Sequence, residues 1–596
     1  MSAKWTSINL PDLPLGPGKF LPETMLLMTD GSVLVHNGGG NVWLRYFPST
    51  DPASAYTSGY WSASALTMIN SRQYFASGVL ADGRVFVIGG EYSDAGINTP
   101  LSEIFDPTTN TWTPLNKPAQ FDFINGDVAS CILANGQVLL GGPDGSDQAS
   151  AVAVWDPNPA NETWRAAGTN FGTTGDTSDE FTPAEETWTL LADGSVLTVE
   201  TLPATNGPNA AQRYLPDTDQ WVKAGNTPQS LVSIGPEIGP AFLLPDGRVF
   251  AVGATGYTAL YDPGTGEWVN GPSFPLGPPV STGIQNYPLL TACDAPGVLQ
   301  PSGKVICVAG AYQDNNGTSV PTTFFEFDPK TFDPTSPGTL PQLAVQPPTG
   351  SNSKATNSAR FLLLPSGEIL FSAEESALYL YTPDPADQPD PSWKPQITNA
   401  PGAVKPNHTY LLEGRQFNGL SQAVSYGDDA QMATNYPIVR IQNVISSHVF
   451  YCRTHNHSTM GVATGTTIVS TQFTVPGDIE AGDSLLFVIA NGIPSDPVSL
   501  GVIEIKGRFK EHKELETAGG KIVNLEHKQI DESSYHDGPG RDDPFSGPRG
   551  DQELVRVIRQ LAAHNDLVND PLVQRTFIRE DERPDVGLKV PRQSDR

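Results

Sequence analysis

The chain has 596 residues, of which 58 are glycine and 54 proline, and it carries a formal net charge of −30. Such a length predicts two or more domains, and dispersed turn formers predict many short strands. The charge excludes a nucleic-acid partner, because the phosphates and the chain would repel each other.

The charge is unevenly placed. Residues 507–596 hold 15 Lys+Arg and 18 Asp+Glu, a net of −3, which leaves −27 on the residues before them. That shift predicts a boundary near residue 507. The start, "MSAKWTSINLPDLP", shows no apolar signal region, so the expected compartment is the cytoplasm, or the exterior by a non-classical route. No apolar window is long enough for a membrane span. Cys131, Cys293, Cys307 and Cys452 form no CxxC pair and give no disulfide framework.

From the N terminus onward one unit recurs. It reads as an apolar strand, a turn dipeptide, a second apolar strand, often a GG pair, and an aromatic strand ending in Asp-Pro and Trp. The clearest copy is "GVLADGRVFVIGG" followed by "EIFDPTTNTW". The turn glycines are Gly31, Gly83, Gly136, Gly194, Gly247, Gly303 and Gly367, at spacings of 52, 53, 58, 53, 56 and 64. Asp-Gly and Asn-Gly favour turns that need positive φ. A period near 50 is that of kelch propeller blades. The seventh unit ends in "YLYTPDPADQPDPSW", which assigns residues 1–393 to a seven-bladed kelch β-propeller.

The pattern then changes. "HTYLLEGRQF", "IVRIQNV", "HVFYCRT", "TTIVSTQFTVP" and "DSLLFVIANG" read as strands of an immunoglobulin-like, early-set β-sandwich over residues 394–506. The tail, 507–596, is charged. It is expected to be partly disordered around "DESSYHDGPGRDDPFSGPRG" and to form one helix at about 551–564, capped by Asp551, that docks on the body or on a partner. The fold class is therefore all-β with a charged tail.

The repeats, "ARFLLLPSGEILF", "FYCRTHNHSTMG" and "LFVIANGIPSDPVSLGVI" together resemble galactose oxidase and the related glyoxal oxidases over roughly residues 1–506. The resemblance implies a copper-radical oxidase of alcohols or aldehydes that releases hydrogen peroxide. Its ligands would be a cysteine-linked tyrosine, a Tyr-His pair from the last blade and a histidine from the C-terminal domain. His455 matches that last histidine. Asn357 and Ser358 stand where the Tyr-His pair is implied, and neither can replace it as a copper ligand. Tyr74 matches the local context of the linked tyrosine, whereas blade counting gives Asp127. The partner cysteine is absent in either register, where Pro22 or Tyr74 stands instead. A copper-radical cofactor is therefore not expected.

The turn glycine also serves as a ruler for the central channel. Nine residues before it stand Pro22, Tyr74, Asp127, Glu185, Ile238, Asp294 and Ser358, with Glu23, Glu186 and Glu237 adjacent. Tyr74, Asp127, Glu185, Asp294 and Ser358 are the expected ligand-binding residues of one electronegative mouth. His455 and His457 are the expected metal-contacting pair, with a divalent cation as the candidate ion. The function read from these residues is a binding protein for a carbohydrate or protein ligand, bound through the propeller face. The alternatives are a copper oxidase with an altered site and a metal-dependent hydrolase or lyase using the axial acids.

Overall fold

The computed structural model describes residues 2–11, 20–94, 96–142, 152–168, 183, 185–201, 209–235, 237–278, 287–312, 319–348, 354–373, 375–426, 432–503, 514–516 and 522–524. The tail helix expected at 551–564 and the expected disordered stretch lie outside them.

Seven antiparallel sheets follow one another along the chain as blades of a propeller. Blade 2 is representative: Ala76–Val79 is innermost, followed outward by Val85–Ile88, Ser102–Asp106 and Thr111–Pro114. The two inner strands are buried at every residue, as expected for sheets covered on both faces.

The same turn joins the two inner strands in every blade. Gly83 N donates to Leu80 O and Leu80 N donates to Arg84 O, and the six other hairpins repeat this pair of bonds. The turn glycines have φ between 75° and 89°. This is the three-residue loop with a left-handed third position, so the preceding Asp keeps ordinary backbone geometry. That Asp has a separate task. Its side chain accepts from the amide two residues on, at 3.0 Å in Asp82 and Asp246, and Asn135, Ser302 and Ser366 do the same in their blades. The late aspartates cap the outer turns likewise, Asp106 accepting from Thr108 N at 2.8 Å and Asp262 from Gly264 N at 2.8 Å.

The repeated aromatics are cross-strand pairs between the third and fourth strands. Phe105 stands opposite Trp112, Trp155 opposite Trp164, Tyr214 opposite Trp221 and Tyr261 opposite Trp268. In the last blade the fourth strand is Lys4–Ile8, which pairs with Leu378–Thr382 and places Trp5 opposite Tyr381. The N terminus therefore closes the ring. Trp393, which ends the seventh repeat in sequence, sits instead in a short 3-10 turn, with the Lys330 ammonium 5.1 Å from its ring. The Pro/Asp-rich run before it offers few free amides for a sheet edge.

After the propeller comes one curled nine-stranded sheet. Its end strands, Gln396–Asn399 and Ala403–Val404, are neighbours in sequence, so the sheet curls until its two edges meet. All five strands read from the sequence in this region are present.

Two segments tie this sheet to the propeller. One is a strap: Thr454 N donates to Thr29 O, His457 N to Ala81 O and Met460 N to Ala134 O. The three acceptors hold the same place in the hairpin turns of blades 1, 2 and 3, two residues before the glycine. The other is a finger. Val424–Tyr426 leaves the sheet and pairs with Pro296–Leu299, the innermost strand of blade 6, so it lies along the propeller axis. Tyr436, on the return of the finger, donates its hydroxyl to Leu27 O in blade 1. The segment from Ile505 onward is a separate unit, in which Glu514–Glu516 and Ile522–Asn524 pair antiparallel.

Candidate functional site at the propeller mouth

Each inner strand runs from an entry loop to its Asp-Gly turn. The entry residues of successive blades therefore surround one mouth of the axis, and the turns surround the other. Tyr74, Glu185 and Asp294 share a further property: all three are left-handed, with φ of 46°, 58° and 45°. A side-chain-bearing residue held there costs roughly 1–2 kcal/mol. The repeat of this conformation in blades 2, 4 and 6 shows that the ruler found equivalent positions.

The entry residues converge. Glu185 is hydrogen-bonded to Asp127 and Glu237, and it feels the charges of Asp294 and Glu91. Ionised carboxylates only accept, so each carboxyl–carboxyl bond requires a proton. Burial first, then the Asp294 charge, push the Glu185 carboxyl up to about 7. Burial and Asp294 likewise raise Glu91. All five acids are partly buried. The Cys293 thiol, buried behind Asp294, is raised well above its ordinary value by burial, then by Glu237 and Asp294. It is therefore a thiol, not a thiolate nucleophile.

Tyrosines flank the acids. Tyr92, also left-handed with φ of 49°, is 59% exposed, and its ring meets Tyr74 edge-on at 6.1 Å. Its hydroxyl is raised by Glu91, by burial and by Asp127. On the other side of Tyr74 stands the Arg360 guanidinium, 5.8 Å from the ring centroid and fully buried at the start of the blade 7 inner strand. Arg360 donates to Asn357 O and Ala359 O and lies 3.8 Å from Glu23. The mouth thus has an acidic crescent from blades 2 to 6 and a cation at blade 7.

One step along the strand reverses direction, and this separates the adjacent acids from the mouth. Glu23 turns into the blades, where it holds His36 Nδ1 at 2.7 Å and Gln73 Nε2 at 3.2 Å. The His36 Nε2 faces Gly40 O at 2.9 Å, an acceptor only, so Nε2 carries a proton. Glu186 turns into blade 4 and accepts from Trp188 Nε1 at 2.9 Å and Thr198 Oγ1 at 2.8 Å. Burial drives its carboxyl up to about 8.

Of the sequence-predicted site, Tyr74, Asp127, Glu185 and Asp294 are brought together. Ser358 lies in the 3-10 turn Thr356–Ser358 beside them. The histidines are elsewhere. His457 N binds Ala81 O, and Ala81 is seven residues along the chain from Tyr74, roughly 20 Å at about 3.3 Å per residue. The strand also ends at His455, and Asn456 is left-handed with φ of 52°, so the two imidazoles do not share a strand face. His455 Nε2 meets Thr474 Oγ1 at 3.1 Å and His457 Nδ1 meets Thr471 Oγ1 at 2.9 Å. Burial and Arg453 lower His455 to about 4, and burial and His455 lower His457 to about 3. Among the described residues no three of His, Cys, Asp and Glu form a group that could hold a metal ion, at either mouth.

Glu91, Tyr92 and Arg360 fall outside the nine-residue ruler. The signal for the first two was the GG pair: Gly89 and Gly90, with φ of 74° and 112°, turn the chain back so that Glu91 pairs with Gln73. The first residue of the last inner strand carried no comparable signal.

A Kelch motif model matches residues 74–119, beginning at Tyr74. Blade 2 thus carries a kelch motif, and with seven antiparallel sheets around one axis the chain is a seven-bladed β-propeller, the build that the galactose oxidase resemblance predicts. Among curated proteins, spermatocyte protein spe-26 of Caenorhabditis elegans is 32% identical over 95 residues, 15% of this chain. The match spans 16% of that relative's length. Among solved structures, a fungal alcohol oxidase of the AA5 family in complex with copper is 16% identical, with a TM-score of 0.35, over 82% of this chain and 86% of that one. The WD40 β-propeller domain of Doa1 is 12% identical, with a TM-score of 0.36, over 64% of this chain and 97% of that one.

Proposed function

We propose that this chain is a ligand-binding propeller whose recognition surface is the acidic mouth, and that its ligand is a protein segment presenting Lys or Arg side chains. The observation that carries this reading is the convergence of Glu91, Asp127, Glu185, Glu237 and Asp294 beside Tyr74 and Tyr92. Carboxylates attract a cationic head, and a tyrosine face adds a cation–π contribution. The loops at this end also expose Ile69, Ile234, Tyr257 and Leu276, apolar side chains that suit a protein rim.

A second reading, a carbohydrate ligand, is favoured by Tyr92. An exposed aromatic face beside hydrogen-bond acceptors suits the apolar face and hydroxyls of a sugar ring.

Copper-radical chemistry is not part of the proposal, and the donor set supports leaving it out. Asn357 and Ser358 stand where a Tyr-His pair is implied. His455 is bound to Thr474 near the opposite mouth. All four cysteines are buried: Cys131 contacts Gln422, Cys293 contacts Ser233, and Cys307 and Cys452 pack in apolar cores. A phenolate–thioether pair does not fit this arrangement.

The test is a binding screen with a labelled Lys/Arg-rich peptide and with neutral oligosaccharides, against the full chain and its D127N/E185Q/D294N variant. Peptide binding that the variant loses supports the proposal. Oligosaccharide binding alone supports the second reading, and binding unaffected by the variant removes the mouth from both.

A further inference from the structure

The finger brings polar residues into the propeller. Ser421, Ser425, Thr434 and Asn435 are all buried there, and Gln422 Oε1 accepts from Leu190 N at 3.0 Å. Between the finger and the inner strands of blades 2 and 3 lies a cavity of about 10 Å³. Its walls include Ser77, Ser130, Gln422, Tyr436 and Met460. Ser77 and Ser130 are fully buried, and neither hydroxyl has a hydrogen-bond partner. The Gln422 amide nitrogen meets only the Cys131 sulfur, at 4.0 Å.

An unpaired buried hydroxyl costs roughly 1–3 kcal/mol, and two of them facing one space call for a common partner. A cavity of about one probe sphere with polar walls holds one water, and buried waters typically make about three hydrogen bonds. We propose that this cavity is a structural water site in which one water joins Ser77 Oγ and Ser130 Oγ to the Gln422 side-chain amide. The water donates to the two seryl oxygens and accepts from Gln422 Nε2–H. It thereby couples the finger to blades 2 and 3, as backbone pairing couples it to blade 6. The inference is independent of the ligand proposed for the mouth.

The test is a high-resolution crystal structure of the full chain and of its S77A/S130A variant. The expected result is a density peak at about 2.7–2.8 Å from both seryl oxygens, present in the parent and lost in the variant. A parent map without the peak, its serines turned onto strand carbonyls, would overturn the proposal. So would a peak that persists unchanged in the variant. If the variant does not fold, the parent map alone decides.

Discussion

Trp5 stands directly across from Tyr381, their ring centroids 4.9 Å apart, and this pair closes the propeller with residues from the two ends of its sequence. Trp5 also meets Phe324 and Phe371 edge-on at 5.7 and 5.8 Å and donates its indole N–H to Val345 O at 2.8 Å. W5A is expected to lower stability by about 2–3 kcal/mol, less than a fully buried tryptophan because Trp5 is half-buried. Denaturant unfolding followed by fluorescence checks this. Deleting residues 1–8 is expected to do more, because it leaves Leu378–Thr382 as an unpaired edge open to association.

The turn chemistry made the propeller legible. Asp82-Gly83 and its equivalents announce their function in two adjacent letters, and their spacing announces the fold. The mouth was half legible. A residue nine before the glycine is fixed by strand length, so Tyr74, Glu185 and Asp294 could be found by counting. Glu91 comes from a different loop of the same blade, and no counting along the inner strand reaches it. The closure by Trp5 was hidden because its partner lies over 370 positions away. The reading of the histidine pair assumes a continued strand, whereas the strand ends at His455 and Asn456 turns left-handed.

Glu186 sets an alkaline limit on stability. Its folded carboxyl is raised from 4.5 to about 8, so the folded state holds a proton that the unfolded chain gives up. That contribution is fully present below about pH 4.5 and is lost as pH rises through about 8, at up to about 1.4 kcal/mol per pH unit. E186Q keeps a neutral acceptor for Trp188 and Thr198 without a proton to lose. Urea midpoints at pH 5 and pH 9 are expected to differ less in E186Q than in the parent; equal differences would clear Glu186 of this part.

His457 sets an acid limit in the same way with the opposite sign. Its folded imidazole is depressed from 6.5 to about 3, so the unfolded chain binds the proton first. Stability is retained above about pH 6.5 and falls as pH drops toward 3. H457Q is expected to flatten the stability profile between pH 6 and 4 while lowering stability at pH 8 by about 1 kcal/mol, the worth of the Thr471 hydrogen bond. Because the imidazole lies roughly 20 Å from the acids, H457Q is also expected to leave peptide binding at the mouth unchanged.

The mouth itself makes the most direct prediction. Glu185 holds its shared proton up to about pH 7, and ionisation above that adds one negative charge where a cationic side chain would sit. The decisive measurement is a titration of the full chain with a Lys/Arg-rich peptide at pH 5.5 and pH 8, with E185Q in parallel. Several-fold tighter binding at pH 8 is expected for the parent, and a much smaller change for E185Q. Binding that is absent at both pH values, or that strengthens equally in E185Q, would contradict that expectation.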